Sequence, residues 1–165
     1  MEISESIKLS NNKGDTQILN PKWSYDKNFI AYAQSDQDGH LDIHILDLKS
    51  GRVKQITDTP EADYYPIWHP NNKDISFTGF YNNTPNLYTF NIYNKELIQN
   101  TDVGDIIIGH KWNKKKSTIT AFTLDTGEFP FVVDIKPNRI ANIKEPRINS
   151  AYSSWLKKTP DYPIN

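Results

Sequence analysis

The sequence contains no cysteine, a single methionine and only seven glycines among its 165 residues. The absence of cysteine excludes a disulfide framework and any thiolate metal site, but it leaves both the cytoplasm and the periplasm open as compartments. Alanine is scarce, and stretches of helix-forming Ala, Leu, Glu and Lys are missing. The composition therefore gives no support to a helical fold.

The chain also lacks an excess of charge of one sign and any long apolar run. Its 19 basic and 20 acidic residues leave a formal net charge of -1, without the clustered basic face of a nucleic-acid-binding protein. No run approaches the roughly 18 apolar residues that a membrane-spanning helix needs. No signal peptide is recognisable after Met1, so an exported parent would carry its signal upstream of this residue or would have lost it. We therefore predict a soluble chain with no nucleic-acid partner and no membrane span.

Aromatic residues are abundant, with nine Tyr, seven Phe and four Trp. This content favours β-structure, and the length fits one domain with one ordinary core. The tryptophans also reveal a repeat, because Trp23, Trp68, Trp112 and Trp155 follow one another at intervals of 45, 44 and 43 residues. A period in this range must be interpreted before any secondary structure is assigned.

The first three tryptophans have matching surroundings. An Ile follows each of them by seven residues across a polar turn, and two further short apolar runs complete the unit. The first of these two runs, which is the third strand of the unit, ends on an acid or amide, such as Asp47. Four short antiparallel strands in each repeat of this length are typical of a β-propeller blade. A β-sandwich has strands at similar spacing, but tryptophans in phase favour blades, which we predict at 19–57, 64–101 and 106–143.

The second repeat resembles a known family. Ile56-Thr57, the loop after it and Pro66-Ile67-Trp68 are similar to the TolB-type propeller repeat, also called the WD40-like PD40 repeat, in which Leu/Ile-Thr precedes Pro-x-Trp-Ser-Pro-Asp-Gly. The third repeat departs from this pattern, because His110 stands in place of Pro and Phe122 is displaced by one position; a bulge would explain that slip. The residues that carry the repeat signature are Trp23, Trp68, Trp112, Pro66 and Asp47.

The resemblance implies an all-β fold built as part of a six-bladed ring. Residues 5–10 resemble the last strand of a preceding blade, and residues 148–155 resemble the first strand of a following one. Three blades do not close a ring, and ring closure is how propellers remove exposed sheet edges. We therefore expect either a segment of a longer protein or a homodimer in which two chains complete the ring.

Several candidate catalytic and metal sites fail on spacing. The acids between Asp36 and Asp42 do not follow the calcium-loop pattern and fit a hairpin turn. His40 and His44 are four residues apart, but they fall on a strand and not on a helix. No nucleophile elbow, phosphate-binding loop or dinucleotide fingerprint is present. We predict no catalytic residue, no metal and no cofactor in this chain, while a catalytic domain attached to it in a longer protein stays open.

The candidate binding residues lie on the first strand of each blade. In a propeller this strand lines the axis, and its leading residues reach the mouth of the channel, where partners commonly dock. Tyr64 and Tyr65 are the preferred anchor for a partner because aromatic side chains dominate many interfaces. The competing explanation for this Tyr pair is packing between neighbouring blades. The predicted channel-mouth residues are Lys22, Tyr64, Tyr65, His69, Ile107 and His110.

The resemblance also implies a function. TolB-type propellers are non-catalytic, protein-binding scaffolds of the cell-envelope Tol-Pal system, which are periplasmic and contact a peptidoglycan-associated lipoprotein. A periplasmic or secreted location is therefore expected, with a cytoplasmic one still open. The alternatives are the gating propeller of a prolyl-oligopeptidase or tricorn-type serine peptidase, and a propeller polysaccharide lyase with histidine ligands in its channel.

Overall fold

A computed structural model describes residues 16–81, 84–102, 106–115, 117–124 and 130–135, and within them every regular element is a β-strand. In this part of the chain no helix is long and apolar enough to cross a membrane. The strands are β1 (Ile18–Trp23), β2 (Phe29–Ser35), β3 (Leu41–Asp47), β4 (Val53–Gln55), β5 (Asp63–Trp68), β6 (Asp74–Tyr81), β7 (Thr84–Asn91), β8 (Leu97–Gln99), β9 (Ile106–Asn113), β10 (Thr118–Leu124) and β11 (Pro130–Ile135).

The strands form three antiparallel meanders in which consecutive strands pair. The first two sheets have four strands each, in the orders β1-β2-β3-β4 and β5-β6-β7-β8, and the third pairs β9, β10 and β11. The fourth strand predicted for the third blade lies outside the described residues, as do the strands predicted at 5–10 and 148–155. We refer to the three sheets as blades 1, 2 and 3.

The tight turn after each repeat tryptophan sets the register of its blade. Trp23 pairs with Ile30, Trp68 with Ile75, and Trp112 pairs with the Ile at the same spacing in blade 3. The seven-residue spacing seen in the sequence is therefore a cross-strand pair around a hairpin. These turns close through left-handed backbone, with φ of 61° at Lys27, 54° at Asn72 and 51° at Ser117, a conformation that Asn tolerates better than most other residues.

Each first strand contains a bulge. In β1 and β5 it includes a residue with positive φ, 53° at Asn20 and 56° at Tyr65, which in both cases precedes a proline. In β9 the register shifts between Ile107 and Gly109 instead. The bulge predicted in the strand that contains Phe122 is therefore wrong: the extra residue lies in β9, and β10 pairs with β11 without a register shift.

The repeat tryptophan joins one blade to the blade before it. Trp68 is 2% exposed among Ala31, Ile45 and Ile75. Its ring stacks on Phe29 of blade 1 at 5.8 Å between centroids, and its indole N–H donates to a main-chain carbonyl of β1 at 3.1 Å. Burial of a large aromatic ring contributes more to packing than most other side chains can, so this contact explains why the repeat keeps Trp at this position.

In blades 1 and 2, a threonine after the outer strand locks the third strand of the blade. The Thr57 hydroxyl accepts from the Ile43 N–H at 2.9 Å and donates to Asp42 at 3.1 Å. Thr101 does the same in blade 2, with Asn86 as the acceptor at 2.9 Å. Buried polar groups are stable only when they are paired, and this reciprocal pairing is the physical reason for the Ile-Thr element of the repeat.

Candidate functional site

The innermost strands of the three blades form a common wall. β1, β5 and β9 are each the edge strand of their sheet, and β5 lies against both β1 and β9. Side chains from all three strands surround a cavity of about 330 Å³. Its lining residues are Lys22, Trp23, Tyr25, Ile67, Trp68, His110, Lys111 and Trp112.

A second cavity of about 550 Å³ adjoins the first on the side of the turns. Tyr25 and Trp112 line both cavities, and His69, Asp74 and Lys114 are among the other residues that line this one. The Lys114 ammonium lies 4.8 Å from the centroid of the Tyr25 ring, within the range of a cation–π contact. This contact connects the hairpin turns of blades 1 and 3 across the wall.

The structure brings some of the predicted channel-mouth residues together. Lys22 and His110 line the smaller cavity, and His69 lines the larger one beside it. Tyr65 lies on β5 two residues before Ile67, which lines the smaller cavity, and it is 37% exposed, with its ring edge-on to Tyr64 at 4.8 Å between centroids.

Two of the predicted residues pack mainly between blades. Tyr64 is half-buried against Ala33 and Phe77. Ile107 is fully buried beside Leu87 of blade 2, because successive residues of a strand face opposite sides of the sheet and this one faces the neighbouring blade. The Ile107 side chain therefore offers no free surface for a channel-mouth contact, and that of Tyr64 offers only part of its ring.

Both predicted histidines are held in the seam between blades 2 and 3. His69 Nε2 lies 2.6 Å from the Ser76 hydroxyl, and His110 Nε2 lies 3.2 Å from the Ser76 carbonyl. Burial lowers the pKa of each imidazole to about 4, so both are neutral near pH 7. The Ser76 hydroxyl also contacts Thr89 at 2.8 Å and is fully buried. The His110 contact joins blade 3 to blade 2, whereas the His69 contact lies within blade 2.

A buried carboxyl group escaped the sequence interpretation. Asp63 begins β5 with 0% exposure; one of its oxygens accepts from the Thr59 hydroxyl at 3.3 Å, and the other has no hydrogen-bond partner among the described residues. Burial raises its pKa to about 7, with a smaller contribution from the charge of Asp42. The register places Ile18 and Ile107 at the matching positions of blades 1 and 3. An acid at this position in blade 2 alone was therefore the signal in the sequence that could have pointed to it.

The acidic loop between β2 and β3 behaves as a hairpin turn. Asp36 accepts from the backbone N–H groups of Asp38 and His40 at 2.9 and 2.8 Å, and its second oxygen lies 3.2 Å from the His40 ring. The potential ligand atoms of these three exposed residues lie within 4.8 Å of one another. Turn closure already accounts for their grouping, because Asp side chains commonly bond to the backbone two residues further on.

Antiparallel meanders packed face to face, with their first strands side by side along one wall, define the β-propeller class. The crystal structure of TolB from Acinetobacter baumannii matches this chain with a TM-score of 0.65 at 22% identity, over 74% of this chain and 30% of that one. The acylaminoacyl peptidase of Pyrococcus horikoshii matches with a TM-score of 0.56 at 21% identity, over 69% and 18% of the two chains.

The chain also has a relative among curated protein sequences. The chain is 29% identical over 85 residues to the Tol-Pal system protein TolB of Francisella tularensis, which covers 50% of this chain and 19% of that protein. No family model matches the chain. The chain thus spans about a fifth of the length of this curated relative. The chain is thus similar in sequence to TolB over half of its length, and the structural matches show the β-propeller fold.

Proposed function

We propose that the chain is part of a non-catalytic propeller that binds a protein partner in the cell envelope, as a component related to the Tol-Pal system. The observation that carries this proposal is the sequence similarity to TolB proteins over half of the chain. By the same resemblance the partner is similar to a peptidoglycan-associated lipoprotein, and the compartment is the periplasm. Cell fractionation with an antibody to the chain tests the compartment, and recovery with cytoplasmic markers would contradict it.

The wall of innermost strands supports a binding role. Trp23 is 58% exposed and Tyr25 is 40% exposed, and both border cavities that also contain lysine side chains. Exposed aromatic rings beside cations provide large contact area and charge at a low entropic cost, which is typical of interface anchors. We assign the docking surface to this wall, with Tyr65 at its edge as a further anchor.

The chemistry of the described residues supports a non-catalytic role. The Ser76 and His69 pair has the geometry of a hydrogen bond at 2.6 Å, but the hydroxyl is fully buried and a substrate cannot reach it. Asp47 is occupied as a turn cap, since it accepts from the backbone N–H groups of Lys49 and Ser50. A nucleophile must be both activated and accessible, and the Ser76 and His69 pair does not meet the second condition.

Binding of the full chain to an immobilised soluble domain of a peptidoglycan-associated lipoprotein tests the function. Tyr65→Asn removes the aromatic ring and keeps a residue that tolerates positive φ, as Asn20 does in blade 1. We expect this variant to bind about tenfold more weakly, as an anchor residue would. The matched control is Tyr93→Asn, since Tyr93 is 65% exposed in an outer turn. Equal affinity of both variants would show that Tyr65 is not part of the binding site. A wild-type chain that does not bind would contradict the proposed lipoprotein partner.

A second candidate function is the gating propeller of a serine peptidase, which is favoured by the structural match to the acylaminoacyl peptidase. In that case the blades would control access to a hydrolase domain in the same protein. A fluorophosphonate probe distinguishes the two functions, because it labels an activated serine covalently. Labelling of the native protein would favour the peptidase, whereas partner binding without labelling would favour the scaffold.

A further inference from the structure

The two adjoining cavities form one groove, which we call the inner-strand groove and define by Lys22, Trp23, Tyr25, Lys111, Trp112 and Lys114. It carries three ammonium groups from blades 1 and 3. Among the residues that the structure describes, none of these lysines forms an ion pair with a carboxylate. The groove is therefore positive on a chain whose formal net charge is -1.

The carboxylate beside the groove does not offset this charge by pairing with a lysine. Asp74 lines the larger cavity, but its two oxygens accept hydrogen bonds from the side-chain amides of Asn71 and Asn91 at 2.7 and 2.6 Å. The Asp74 carboxylate is thus hydrogen-bonded to neutral amides of its own blade. The three lysines are exposed, so their ammonium groups are hydrated and free to pair with carboxylates of a ligand, and their clustering on one concave surface raises the local positive potential.

Aromatic rings hold two of the cations in place. Lys114 lies over the ring of Tyr25 at 4.8 Å, and Lys111 lies over the ring of Phe122 at 5.5 Å. Such contacts restrict long side chains that would otherwise lose entropy on binding. The exposed indole of Trp23 beside them offers a flat apolar surface for a side chain of the ligand.

The backbone of the groove favours a polypeptide ligand over a sugar polymer. The groove residues come from the edge strands β1 and β9 and the turns that follow them, and an edge strand presents main-chain N–H and C=O groups that its own sheet does not use. The Lys22 carbonyl is already used, because it accepts from the Trp68 indole, so a ligand would pair with other backbone groups of these edges. An extended peptide can pair with such an edge through its own backbone.

We propose that the inner-strand groove binds an acidic, extended peptide segment of the partner protein. Carboxylates of the segment contact Lys22, Lys111 and Lys114, and an aromatic side chain packs on Trp23. This inference rests on the proposed protein-binding function and specifies the chemistry of the segment that is bound.

Fluorescence anisotropy with the full chain tests the groove. The probes are labelled peptides of alternating Asp and Tyr, alternating Asn and Tyr, and alternating Lys and Tyr, together with labelled polygalacturonate. The groove variant combines Lys22→Gln, Lys111→Gln and Lys114→Gln. Its matched control combines Lys49→Gln, Lys54→Gln and Lys95→Gln, which remove the same charge from exposed outer positions. Melting temperatures of both variants are measured so that unfolding is recognised.

We expect the acidic peptide to bind most tightly and to weaken as salt is raised. The groove variant should lose about tenfold in affinity if each exposed pair contributes a modest amount, and the control should match the wild type. Equal binding of the neutral peptide, or equal losses in both variants, would overturn the proposal. Preferential binding of polygalacturonate would overturn it in favour of an anionic sugar ligand.

The same variants separate this inference from the proposed function. If the lipoprotein domain binds the groove variant as tightly as the wild type, the acidic-segment inference fails and the protein-binding function stands. If neither the acidic peptide nor the lipoprotein domain binds the wild-type chain, both fail.

Discussion

The buried carboxyl of Asp63 should make the stability of the fold depend on pH. It lies at the junction of blades 1 and 2, where the Thr59 hydroxyl donates to it at 3.3 Å and the Thr59 N–H donates to Asp42 at 3.4 Å. Burial raises the pKa of Asp63 from 3.8 to about 7, and the charge of Asp42 adds to the effect, while the hydrogen bond from the Thr59 hydroxyl opposes it. The protonated form is therefore the one that fits the folded chain.

The direction of the pH dependence of stability follows from the pKa values of Asp63 in the unfolded and folded chain. Below about pH 4 the carboxyl is protonated in both states, so it costs nothing on folding. As the pH rises, the unfolded chain ionises first, and the stability associated with this group is lost progressively up to about pH 7. A rise of about three units corresponds to about 4 kcal/mol of unfolding free energy at most. Above the folded pKa the cost is constant.

The perturbation that tests this reasoning is Asp63→Asn, which keeps the shape and removes the ionisation. Unfolding free energies of the variant and the wild type are measured in urea at several pH values from 4 to 8. We expect their difference to change by about 4 kcal/mol in favour of the variant over this range, whatever constant offset arises from altered hydrogen bonds.

Asp47→Asn is the matched control. Hydrogen bonding by Ser50 holds the pKa of Asp47 below its ordinary value, so its contribution is present above the unfolded pKa and is lost only as the pH falls below about 5. Asn91 already occupies the matching position in blade 2 and accepts the same turn N–H groups. A difference between Asp63→Asn and wild type that stays flat from pH 4 to 8 would refute the buried-carboxyl reasoning.

Three further outcomes are expected. Trp68→Ala should reduce the unfolding free energy by about 3–5 kcal/mol because it empties the interblade contact, whereas Trp23→Ala should change it by under about 1 kcal/mol because that ring is exposed; equal effects in urea denaturation would contradict the packing. Gly79→Ala should cost about 1–3 kcal/mol, since the added methyl would lie 2.5 Å from the Tyr81 ring and 2.6 Å from Asp63; a variant as stable as the wild type would refute that crowding. Light scattering should show a species of twice 19.1 kDa if two chains complete a ring, and a species of one chain would contradict the homodimer.

Much of each blade could be predicted from local sequence. The spacing from Trp68 to Ile75 indicated a hairpin, and the structure pairs these two residues across it. Asp47 was expected to end the third strand, and it does so while closing the turn that follows. Such features depend on residues that are near in sequence, so turn chemistry and strand alternation are enough to predict them.

The candidate site was predicted less completely. Lys22 and His110 were expected near the channel, and both line one cavity. Ile107 was expected there too, but it packs against blade 2. Which side of a strand faces a neighbouring blade depends on how the sheets pack, and local spacing does not specify that blade 2 encloses this side chain.

The sequence by itself determined the repeat, the four-stranded pattern of its units and the positions of their turns, because each of these is encoded within a few residues. Only the tertiary structure decided that Asp63 is buried, that His69 and His110 meet at Ser76, and that lysines of blades 1 and 3 border one groove. These contacts join residues of different blades. They arise when apolar faces pack together and remove water, and local spacing does not specify which polar groups are enclosed with them.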